Sequence, residues 1–297
     1  MTRTSAGQRM ALVRARLSLP TVRRAVSLFD GSHTSAMTGR GYDFEDLTEY
    51  RTGDQVRDID WKVSARAGKP VIRRFERETD VLTQLLLDTG IEMNGAAPSG
   101  EPKGELALQC AETLAYLAAY RGDQLGLIQG NAAGVERFPA RHGSGHLDFL
   151  LDRADRALGA ARAPANVAAI ADCFLRTRRE RSLAILVTDE YWPTPPDELL
   201  LRRIRERHEL LVVRIADMSV TAEGVEAMAD ISDGSFMPDL VRDDRKLREQ
   251  EQQYRRERQR WASHLLARHR VLNASVASSG DIIGSIVDLL RWQHRGS

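Results

Sequence analysis

Between residues 50 and 66 the chain sets arginines and aspartates at close spacing: Arg51, Asp54, Arg57, Asp58, Asp60 and Arg66. A guanidinium and a carboxylate match each other as two parallel hydrogen bonds, so this pattern offers bidentate ion pairing. Arg51-Thr52-Gly53-Asp54 reads as a turn, because glycine tolerates positive φ and aspartate bonds nearby backbone amides. In an extended conformation Arg57, Ile59 and Trp61 fall on one side, Asp58 and Asp60 on the other. Two roles fit. Buried pairs clamp the segment in place, or Arg51, Asp54, Arg57, Asp60, Trp61 and Arg66 form a docking surface for a protein or peptide.

Elsewhere the reactive residue types are poorly arranged for catalysis. His142 and His146 are four apart, but Gly143 and Gly145 between them predict a loop, and no third zinc ligand is in view. Gly126 and Gly130 are not followed by the Gly-Lys-Ser/Thr of a phosphate loop. No Ser-His-Asp or Cys-His arrangement is legible. Cys110 and Cys173 lie in apolar helical runs without metal spacing, as small buried hydrophobes of a reducing compartment do.

The elements that must position these residues are readable from periodicity. The 297 residues are 42% apolar and 29% charged, enough for a main domain and a smaller one. Residues 6–29 read as helical, interrupted at Pro20; residues 31–41 read as a loop and 70–79 as a strand. From residue 81 strands alternate with helices. The strands are expected at 82–88, 123–130, 134–139, 182–189, 209–216 and 270–277. The helices are expected at 105–121, 146–158, 166–180, 197–207, 240–268 and 280–294. The runs at 82–88, 182–189 and 209–216 are almost continuously apolar, as central strands of a parallel sheet covered on both faces are. The pair at 123–130 and 134–139 suits a hairpin that adds an antiparallel edge strand. The expectation is a doubly wound, mostly parallel α/β sheet over residues 81–297, preceded by a basic helical arm and a β-rich segment over residues 1–80. Helix 240–268 carries Leu240, Leu247, Tyr254 and Trp261 seven apart. One apolar residue per heptad is thinner than a coiled-coil seam, so the stripe packs on its own domain or docks a partner.

Charge bounds the function classes. Lys plus Arg is 43 and Asp plus Glu is 42, a balance with no global pull toward nucleic acid, and none is expected as a partner. Residues 1–29 hold six arginines and no acid. That arm is a solvated helix face or a peripheral contact for anionic lipid. No apolar stretch approaches the ~20 residues that cross a bilayer, and the start lacks the apolar core of a secretory signal, so a cytoplasmic location is expected.

Residues 41–66 also carry a resemblance. Tyr50, Arg51, Gly53 and Asp54, then Arg57, Ile59, Asp60 and Trp61, then Ser64, Ala65 and Arg66 follow without gaps the signature of the bacterial family known as domain of unknown function fifty-eight. The chain is similar to that family in element order from about residue 20 onward. Many members carry two membrane helices before the signature, where this chain has the basic arm. The family resembles von Willebrand A domains and is associated with MoxR-type AAA+ ATPases. The resemblance therefore implies an adaptor that acts with such an ATPase, and with a client protein, in chaperone-like complex maturation.

The von Willebrand A likeness implies a divalent-cation site at the carboxyl ends of the central strands, built from Asp-x-Ser-x-Ser, a threonine and a second aspartate. Mg²⁺ or Mn²⁺ in such a site takes oxygen ligands and keeps one position open. Here the aspartates are Asp88 and Asp189, the serine positions are Gly90 and Glu92, and the threonine position falls near Ala165-Asn166. Either the site is degenerate and no metal or other cofactor is held, or Asp88, Glu92 and Asp189 bind Mg²⁺ or Mn²⁺ in a changed geometry. The first reading makes the chain a non-enzymatic binding protein. The second makes it a metal-dependent hydrolase or ligand binder.

Overall fold

A computed structural model describes residues 82–219 and 245–295, the strands β1 (Asp43–Glu49) and β2 (Val71–Glu76), and residues 63, 64, 66 and 68. The chain forms two compact units, one of which spans residues 33–81. In that unit β1 and β2 pair antiparallel, with a register shift between Phe44 and Asp46. The basic arm and signature residues 50–61 lie outside the described residues.

The larger unit is a six-stranded sheet. Its strands are β3 (Leu82–Asp88), β4 (Gln124–Asn131), β5 (Gly134–Arg141), β6 (Leu183–Asp189), β7 (Glu209–Ile215) and β8 (Leu272–Val276). They lie in the order β5-β4-β3-β6-β7-β8. Every neighbouring pair is parallel except β4 and β5, which form the expected hairpin. This is the doubly wound, mostly parallel arrangement with an antiparallel edge strand expected from the alternation of strands and helices. The apolar runs are central because both faces are covered: β3, β6 and β7 are buried along nearly their whole length.

Among the described residues six α-helices cover the sheet: α1 (Lys103–Tyr120), α2 (Ser144–Gly159), α3 (Val167–Thr177), α4 (Glu198–Arg205), α5 (Arg245–Arg268) and α6 (Ile282–Arg295). On one face Ile170 and Phe174 of α3, Leu201 and Ile204 of α4, and Leu265 and Leu266 of α5 pack on Leu86, Ile128, Leu186 and Val212 of the strands. On the other face α1 packs against the central strands, flanked by α2 and α6. Strand alternation sends Leu86 to the first face, and Leu85 and Leu87, both fully buried, to the second. Among the described residues no helix is long and apolar enough to cross a membrane.

Two expectations change. The loop expected at 142–146 ends at Ser144, where α2 begins, so His146 sits in that helix's first turn. Its ring nitrogen lies 3.1 Å from the Leu125 carbonyl oxygen and the ring stacks on Phe149, an ordinary edge packing. The α5 stripe does not pack on its own domain throughout. Only Ala262, Leu265 and Leu266 of α5 are buried, while Leu247, Tyr254 and Trp261 are exposed; Leu240 lies outside the described residues.

Candidate functional site

The strand order turns back between β3 and β6. Open α/β sheets bind ligands in the crevice beyond the carboxyl ends at such a turning point. β3 ends in Asp88 and β6 in Asp189. Sheet register alone therefore brings together two aspartates that are far apart in sequence.

Both Asp88 oxygens are engaged. Oδ1 accepts the Gly90 amide at 2.9 Å and Oδ2 accepts the Thr188 hydroxyl at 2.8 Å. Burial pushes this carboxyl up to about 6, against those two hydrogen bonds, and the charges of Asp189 and Glu92 add to the rise. Glu92 stands in a short 3-10 turn, Ile91–Asn94, and its Oε2 accepts the Ala165 amide at 3.0 Å. The Asn166 side chain accepts the Ala169 amide at 3.0 Å and caps α3. Around Gly90 the backbone is tightly placed: a Cβ there would lie 2.6 Å from Ala165 Cα and N and would press on Glu92 Oε2. A hydroxyl-bearing side chain at position 90 would displace the Ala165 loop.

Asp189 is held from two sides. Its Oδ1 accepts the Tyr191 amide at 2.7 Å, and its Oδ2 accepts from Lys103 Nζ. Lys103 is the first residue of α1 and its side chain is wholly buried. The same ammonium donates to Asp217 Oδ1, just beyond β7. A lysine at a helix N-terminus opposes the helix dipole. Burial also pulls the ammonium toward neutrality, but Asp189 and Asp217 outweigh this and raise its pKa overall. Asp217 is pushed up to about 7, chiefly by burial and then by Asp189, with Lys103 offsetting part of the rise.

The rim is braced by α5. Arg255 pairs with Glu190 at 2.7 Å and bonds the Asp217 carbonyl, and Gln259 reaches Glu190 at 3.4 Å. Arg258 bonds the carbonyls of Tyr191 and Pro193, and its guanidinium lies 4.7 Å from the centroid of the Trp261 ring. Tyr191 is 46% exposed, Tyr254 59% and Trp261 38%.

The structure thus brings Asp88, Glu92 and Asp189 to one end of the sheet, each with a protein partner. Among the described residues no group of three or more His, Cys, Asp or Glu is placed to hold a metal ion. The donor set does not fit Mg²⁺ or Mn²⁺: the hydroxyl positions are Gly90 and Glu92, and an ammonium already sits on Asp189. Of the docking candidates, Arg66 is exposed, and Arg51, Asp54, Arg57, Asp60 and Trp61 lie outside the described residues. Sequence reasoning missed Lys103, Asp217, Tyr191, Arg255 and Arg258. One signal was present for the first: a lysine at a helix start, where an acid is favoured.

The family model described as "Protein of unknown function DUF58" matches residues 46–260. Uncharacterized proteins of Mycobacterium tuberculosis and Mycobacterium bovis are 29% identical over 210 residues, covering 68% of this chain. The chain spans 63% of the length of those relatives. An aerotolerance-related membrane protein from Bacteroides fragilis is 13% identical, with 71% of this chain and 99% of that chain covered and a TM-score of 0.47. A von Willebrand factor type A protein from Catenulispora acidiphila is 10% identical, with 72% and 42% covered and a TM-score of 0.41.

Proposed function

This chain belongs to the DUF58 family, and we propose that it is a non-enzymatic protein-binding component acting with a MoxR-type AAA+ ATPase in the cytoplasm, in chaperone-like maturation of a client complex. The observation that carries this reading is the set of exposed aromatic side chains beside the sheet's turning point: Trp261 under the Arg258 guanidinium, Tyr254 four residues before Arg258 on α5, and Tyr191 on the loop whose carbonyls Arg258 bonds. Aromatic residues and arginine are the types enriched in protein interfaces and in their hot spots. Fixed backbone contacts from Arg258 hold the loop that presents Tyr191, which lowers the ordering cost of binding.

A hydrolase centred on Asp88, Glu92 and Asp189 is disfavoured by the same geometry. All three carboxylates accept hydrogen bonds from backbone amides, a hydroxyl or an ammonium, and Asp189 is already paired with the Lys103 cation.

The test is co-purification with the MoxR-type ATPase from native lysate, using wild type and a Tyr254→Ala/Trp261→Ala variant. Wild type retains the ATPase and the variant loses at least tenfold of it. Recovery of no AAA+ ATPase with wild type, or equal recovery with both proteins, overturns the reading.

A further inference from the structure

The von Willebrand A likeness implies a divalent cation at the end of this sheet, and the residues present do not fit one. One of the two aspartates of that implied site, Asp189, is nevertheless paired with a positive charge. Lys103 Nζ lies between Asp189 Oδ2 and Asp217 Oδ1, at the carboxyl ends of β6 and β7, with no solvent exposure. Asp189 and Asp217 are 8% and 23% exposed, so the group faces the crevice without being open to it. Two features of this lysine are unfavourable unless the carboxylates answer them: it starts a helix, and it is buried.

We propose that the Lys103 ammonium, held between Asp189 and Asp217, is the resident cation of this end of the sheet, so that the crevice is assembled without divalent metal. The role is positioning. By neutralising Asp189 it leaves that residue's Oδ1 to hold the Tyr191 amide at 2.7 Å, and so fixes the loop that carries the exposed Tyr191 ring. Its second bond, to Asp217, ties the end of β7 to the end of β6. Without Lys103, Asp189 and Asp217 face each other with no cation between them, two carboxylates of the hard oxygen type that Mg²⁺ or Mn²⁺ takes. The inference concerns how the crevice is assembled and does not depend on the ATPase partner.

Thermal unfolding of the full chain, with millimolar MgCl₂ or MnCl₂ against EDTA, tests it. Wild type shows the same Tm in all three. Lys103→Ala lowers Tm in EDTA by roughly 10 °C. Mn²⁺ or Mg²⁺ then returns several degrees by linkage, and adding Asp189→Asn abolishes that return. Calorimetric titration of wild type with Mn²⁺ gives a reading that does not depend on the variant folding, and it shows no saturable binding. A metal-induced rise or saturable binding in wild type that Asp189→Asn removes overturns the proposal. So does a folded Lys103→Ala protein whose Tm ignores both metals.

Discussion

Gly90 is the residue at which the site departs most sharply from a hydroxyl-ligated metal centre, and its reason is steric. Ala165 backbone atoms stand where a Cβ would go. Gly90→Ala is expected to cost about 1–3 kcal/mol through forced displacement of that loop; urea unfolding checks this, and an unchanged midpoint would refute the close approach. Asp88 makes a second prediction, in pH. Its folded-state pKa of about 6 lies above the ordinary 3.8, so the folded protein binds this proton more tightly than the unfolded chain. Its contribution is full below 3.8 and is lost as pH rises through about 6. Asp88→Asn cannot titrate and should lack that decline when unfolding is measured between about pH 4 and 8. Parallel stability profiles for variant and wild type would place the proton elsewhere.

The helices divide into those that build the core and one that mostly faces outward. Phe174 of α3 is completely buried, and its ring packs 4.6 Å from that of His208. Phe174→Ala should therefore cost about 3–5 kcal/mol, measured by denaturant unfolding. Tyr254→Ala on α5 removes an exposed ring and should stay within about 0.5 kcal/mol in the same assay. A large loss at Tyr254 would mean that the stripe is core, and the proposed binding surface would fall. These elements were legible to different degrees. Strands and helices were placed within a few residues because apolar runs and 3.6-residue periods are local signals. The direction of the α5 stripe was not legible, because a seven-residue spacing marks a face without saying what that face meets. The early start of α2 was hidden by Gly143 and Gly145, which read as loop although Gly145 lies inside the helix.

For the molecule as a whole, the sheet order sets both stability and site. β3, β6 and β7 are covered on both faces and paired on both edges, whereas β5 and β8 are edge strands. Amide hydrogen exchange should be slowest in β3, β6 and β7 and clearly faster in β5 and β8; uniform protection across the sheet would contradict this layering. The amino-acid sequence by itself determined the alternation of strands and helices, the central position of the apolar runs, the antiparallel hairpin and the strand-end placement of Asp88 and Asp189. It did so because each of these follows from patterns within a few residues. Only the tertiary structure decided what Asp189 meets. Lys103 lies 86 residues before it, and Asp217 lies 114 residues after Lys103. No local pattern links the three, since their meeting depends on how α1 crosses the sheet and on where β6 and β7 end.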